Sequence, residues 1–154
     1  MDVLWRYFVG VPEPPNRRDR KAIQYLDDLQ AKFLANPQTP VHDAESARFY
    51  AWALVVVALF DDTERELFKQ VYNAYTEGEC MYEIRTACAC NGKDQLCLIL
   101  DQIMADKTLA TRMGEYMMAC IQDESWREVH SVLKKNRFQA ENFLWWMYDM
   151  KRWL

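Results

Sequence analysis

Residues 49–60 read FYAWALVVVALF, an unbroken apolar run without charge, Gly or Pro. Its 12 residues fall well short of the ~20 that a membrane-spanning helix requires. The run therefore reads as the buried central helix of a soluble domain. Upstream, Asp43 is placed to cap it. Downstream, Asp61 followed by Glu64 has the spacing of a capping box and opens the next helix, striped by Leu67, Phe68, Val71, Tyr72 and Tyr75 and closed by Gly78.

The pattern continues outward. All five prolines (Pro12, Pro14, Pro15, Pro37 and Pro40) lie in the first 40 residues, so residues 41–154 carry none. A long Pro-free tract with apolar spacing of three and four reads as consecutive helices. Asn16 is placed to cap a first helix striped by Ile23, Leu26, Leu29, Phe33 and Leu34, which Pro37 and Pro40 end. Residues 79–90 form a shorter helix stopped by Asn91-Gly92, a favourable left-handed end. Leu96, Ile99, Leu100 and Ile103 mark another helix; Leu109, Met113, Tyr116, Met117 and Cys120 the next; Trp126, Val129 and Leu133 a third, with Lys134-Lys135 suiting its C-terminus. Residues 137–154 make the last, apolar on most sides. The expected fold is all-α, an irregular bundle or short solenoid of antiparallel helix pairs. Residues 1–154 form one helical domain, with a Pro-containing segment at 1–15 packing on or extending from it.

Composition supports this reading. The chain has 154 residues, 51% hydrophobic and 27% charged, enough to bury a substantial core. Four Gly and five Pro leave few turn residues for a many-stranded sandwich. A formal net charge of -4 argues against a dedicated nucleic-acid binder, whose footprint is usually basic.

Catalytic and metal patterns are absent. Cys80, Cys88, Cys90 and Cys97 fall close together. Cys-x-Cys on a helix, however, points its side chains about 200° apart, and positions 90 and 97 on one helix sit roughly 10 Å apart, too far for one zinc. Buried free thiols acting as small hydrophobes are the expected state. Cys120, His130 and Asp123 supply the residue types of a cysteine hydrolase without any surrounding motif, and His130 reads as a partly buried helix residue. The pairs Asp27-Asp28 and Asp61-Asp62 occupy adjacent positions that do not face each other, so neither makes an acid/base dyad. There is no His-Glu-x-x-His, Gly-rich phosphate loop or Gly-x-Ser-x-Gly. No enzymatic activity, metal or cofactor is expected.

Two features point to a partner. Arg17, Arg18, Arg20 and Lys21 crowd the start of the first helix, where the helix dipole favours acids. They read as a solvated face or a docking site for an acidic segment, with protein favoured over nucleic acid. Near the C-terminus, Phe143, Leu144, Trp145, Trp146, Met147, Tyr148, Met150, Trp153 and Leu154 cover almost a whole helix circumference. Trp146 and Trp153 nearly coincide after two turns, whereas Trp145 lies about 100° away. Such a helix is either engulfed by the bundle or used for association, with a protein, a peptide or a second copy in a homodimer. Trp145, Trp146, Tyr148 and Trp153, together with the basic cluster, are the expected partner-binding residues.

Part of the chain resembles a known family. Arg48-Phe-Tyr-Ala-Trp-Ala, Leu67-Phe-Lys-Gln-Val-Tyr-Asn-Ala-Tyr75, Ala87-Cys-Ala-Cys90, Lys93-Asp94, Leu98-Ile-Leu100 and Leu109-Ala-Thr-Arg112 are similar to the C-terminal helical, HEAT-like domain of M1-type zinc aminopeptidases. Cys88 replaces that family's usual Leu, and Met113-Gly114 stands where Gln-Asp is usual. The resemblance implies paired helices like the family's concave lid. It does not imply peptidase activity, because neither the zinc motif nor the Gly-Ala-Met-Glu-Asn substrate motif is in the chain.

The expected function is a non-catalytic helical protein-interaction module, with a lid domain derived from an aminopeptidase as the alternative. The odd count of five Cys, the absence of an Asn-x-Ser/Thr sequon and the lack of a signal-like N-terminus favour the cytoplasm, or a secretory setting if the chain is part of a longer precursor.

Overall fold

A computed structural model describes residues 17–36, 41, 43–74, 79–144 and 147, and among these it is all-helical. Seven α-helices follow one another: α1 Arg17–Ala35, α2 Ala44–Leu59, α3 Asp62–Tyr72, α4 Cys80–Cys90, α5 Asp94–Met104, α6 Lys107–Gln122 and α7 Trp126–Lys135. A 3-10 turn at Ala140–Phe143 comes after them.

Helix α2 is the axis of the molecule. Its apolar run is buried all round, with Phe49, Trp52 and Val55 to Val57 at 2% exposure or less. A helix without a polar face must be covered on every side. Helices α1, α6 and α7 supply that cover. The remaining helices close the bundle through α3–α4, α4–α5 and α5–α6 packing, and the 3-10 turn rests on α1 and α5. In a solenoid each unit touches only its chain neighbours. Here α2 meets α6 and α7 directly, so the architecture is an irregular bundle.

Side-chain caps place several of the ends. Asp43 and Asp61 each form a reciprocal capping box, with Ser46 and Glu64 respectively, and Asp106 caps α6 by accepting from the Leu109 N–H at 3.0 Å. Helix α4 ends in a Schellman motif: Gly92 adopts φ 72, its N–H reaches Ala89 O, and the Lys93 N–H reaches Cys88 O.

Several boundaries differ from expectation. Helix α3 stops at Tyr72, where the Ala74 N–H closes a turn onto Val71 O; Tyr75 and Gly78 lie outside the described residues. Leu34 is 48% exposed because it sits one helical step past the buried Phe33. No helix begins at Arg137. That residue instead ends α7 with φ 54, its N–H donating to Lys134 O and the Phe138 N–H to Leu133 O. Among the described residues, no helix is long and apolar enough to cross a membrane.

Candidate functional site

The C-terminal end of α2 and the start of α3 meet α7 at a groove of about 850 Å³. Its architecture rests on two buried charged side chains. Arg65, 8% exposed, donates to Val57 O at 3.0 Å and Phe60 O at 2.6 Å, satisfying carbonyls at the end of α2. Its other nitrogen donates to Asp62 at 2.6 Å, and the guanidinium lies 3.5 Å from the Trp126 ring centre. Both the hydrogen bond and the charge of Arg65 hold the Asp62 carboxyl below its ordinary pKa. The pair Asp61-Asp62 is thus helix-start chemistry, as its position suggests.

Glu64 is fully buried beside this. One carboxylate oxygen accepts from the Asp61 N–H at 2.8 Å and Lys93 Nζ at 2.5 Å, and the other accepts from Asn91 Nδ2 at 2.9 Å. Burial pushes its pKa up, but the hydrogen bonds from Lys93, Asp61 and Asn91, with the Lys93 charge, outweigh burial and hold it below the usual glutamate value. The network ties the start of α3 to the α4–α5 turn. It keeps one rim of the groove in place without any ligand.

The opposite rim belongs to α7 and the turn after it. Arg127 pairs with Glu124 at 3.0 Å and lies 5.1 Å from the Trp126 ring centre, and His130 meets the same ring edge-on. His130 is exposed at the groove, not partly buried as its sequence context suggests. Lys134 and Arg137 complete this rim, and among the described residues neither has an ion-pair partner. A second cavity of about 420 Å³ adjoins the groove, sharing Leu59 and Lys93 with it.

Four of the five thiols are buried, as expected, and one is not. Cys88 is buried and Cys90 exposed, as their 200° separation requires, but Cys97 lies on α5 and not on the helix of Cys90. Exposure of Cys90 corrects the expectation that all five are buried. Burial pushes the Cys80 thiol up to about 11 and Cys120 up to about 12; the Cys88 and Cys97 thiols also rise, chiefly through burial. Cys120 sits among Tyr50, Ser125 and Asp123, whereas His130 packs on Trp126, so the structure does not join the two as nucleophile and base. Among the described residues no three His, Cys, Asp or Glu converge as metal ligands.

Of the expected partner-binding residues, Trp145, Trp146, Tyr148 and Trp153 lie outside the described residues. Arg17 and Arg18 belong to α1, although their side chains are outside the description; Arg20 and Lys21 are exposed. Lys32 pairs with Glu128 at 3.3 Å, and Tyr25 packs on Phe138 with ring centres 6.2 Å apart. These contacts make α1 and α7 antiparallel, which puts Arg20 and Lys21 at the Arg137 end of α7.

The groove residues Arg65, Lys93, Trp126, Lys134 and Arg137 escape sequence reasoning as a group, because they come from three stretches far apart in the chain. The one local signal is Lys134-Lys135, which by itself reads as a helix C-terminus. No protein-family model matches the chain, and neither the curated proteins nor the solved structures contain a match.

Proposed function

We propose that this chain is a non-catalytic helical protein-interaction module, which docks a segment of a protein or peptide partner in the groove between α2, α3 and α7. The observation that carries this reading is a groove whose walls are already fixed by internal partners, while side chains at its mouth remain uncommitted. Pre-organised walls lower the ordering cost of binding. The odd count of cysteines and the burial of four of them support a reducing, cytoplasmic setting.

Selection of random dodecapeptides on the folded chain, followed by NMR mapping of the survivors, tests the reading. Peptides that shift the Trp126 indole and His130 ring signals are the expected outcome. Survivors that all map elsewhere, or no survivors at all, reject it.

A further inference from the structure

The groove is locally basic on an acidic chain. Its lining contains Arg65, Lys93, Arg127, Lys134 and Arg137 against only Asp61 and Asp62, although the whole chain carries -4. The internal pairs remove most of that charge from contention: Arg65 is held by Asp62, Lys93 by Asp61 and Glu64, and Arg127 by Glu124. Among the described residues, Lys134 and Arg137 are left over at one end.

The backbone fixes where Arg137 stands. It occupies the left-handed position of a Schellman motif with φ 54, where Gly is the favoured residue because it has no Cβ. The equivalent position closing α4 is Gly92. A long cation is thus held at the mouth of the groove by the end of α7, in a backbone conformation shared by Glu124 (φ 57) just past α6.

We infer that the groove selects an acidic polypeptide segment, whose carboxylates meet Lys134 and Arg137 while its backbone runs toward the cavity behind Lys93. This rests on the docking reading above and adds the chemistry of the partner. A peptide with a few carboxylates fits better than a nucleic acid. Among the described residues, only Lys134 and Arg137 of the lining's cations are without an ion pair, too few for a run of phosphates, and Asp61 and Asp62 line the same groove.

The probes are fluorescein-labelled octaglutamate, octaglutamine and an oligothymidylate with eight phosphates, followed by anisotropy on the full chain. Octaglutamate is expected to bind and octaglutamine not to bind. The Lys134→Gln/Arg137→Gly double variant is expected to weaken octaglutamate about tenfold, the sum of two modest rim contacts. Lys135→Gln, the same change as the Lys134→Gln half of the double variant but outside the groove lining, is expected to weaken it less than about threefold. The single Arg137→Gly variant should bind more weakly while melting no lower than the parent, which separates lost contact from lost folding. Absence of octaglutamate binding, tighter binding of oligothymidylate, or equal losses in Lys135→Gln and the double variant would each overturn the inference. Display-selected peptides that map to the groove but carry no acids would overturn it as well, while leaving the docking reading intact.

Discussion

The guanidinium of Arg65 lies 3.5 Å from the centre of the Trp126 ring while donating to the carbonyls of Val57 and Phe60. One side chain thereby closes the end of α2, anchors the start of α3 and packs on the first residue of α7. Truncating either partner should be costly. Trp126→Ala is expected to destabilise by about 3–5 kcal/mol through cavity formation. Arg65→Ala should cost about 3 kcal/mol, since it leaves buried carbonyls without a donor. Urea titration of both single variants and the double variant should yield a coupling of about 1–2 kcal/mol. Strict additivity would show that the contact is incidental.

The buried carboxylate of Glu64 predicts a pH dependence. Its folded pKa lies below the ordinary value of 4.5, so its network stabilises the fold above that value and loses its contribution as pH falls toward the depressed folded pKa. Glu64→Gln should cost about 2 kcal/mol at pH 7, and the gap from the parent should narrow below pH 4.5. Denaturant titrations at several pH values measure this, and a gap of constant size would refute it.

Three residues just past helix ends are left-handed, Gly92, Glu124 and Arg137, and two of them, Gly92 and Arg137, should respond oppositely to substitution. At Gly92 a Cβ would meet nothing within 4 Å, so Gly92→Ala has only a backbone cost, about 1 kcal/mol of destabilisation. Arg137→Gly relieves the same backbone cost and should stabilise by up to about 1 kcal/mol. Thermal melts of the two variants decide whether the conformation of Arg137 is strained.

Thiol accessibility should be uneven. Cys90 alone among the five is exposed, while burial pushes the other four thiols up. Titration with a chromogenic disulfide at pH 8 should find one fast thiol in the native protein and five in denaturant. Rapid reaction of Cys120 in the native state would contradict its burial.

Much of the fold was legible because its determinants are local. The uniformly apolar residues 49–60 need cover on all sides, and that requirement places them at the centre before any partner is known. Asp43, Asp61 and Asn91-Gly92 mark helix ends through hydrogen bonds reaching only a few residues along the chain, and the structure has those ends. At Arg137 the sequence carries no sign of the turn, because a Schellman motif usually announces itself with Gly and an arginine sends no such signal.

By itself, the sequence determined the helical class, the central position of α2 and the capped starts of α2 and α3, all consequences of periodicity and neighbouring side chains. Only the tertiary structure decided that these helices close into a bundle instead of a solenoid, since that depends on α2 meeting α6 and α7 across long stretches of chain. It alone also made the groove, by bringing Arg65 onto Trp126 and Lys93 onto Glu64. Contacts between residues far apart in sequence have no fixed spacing, so no local pattern encodes them.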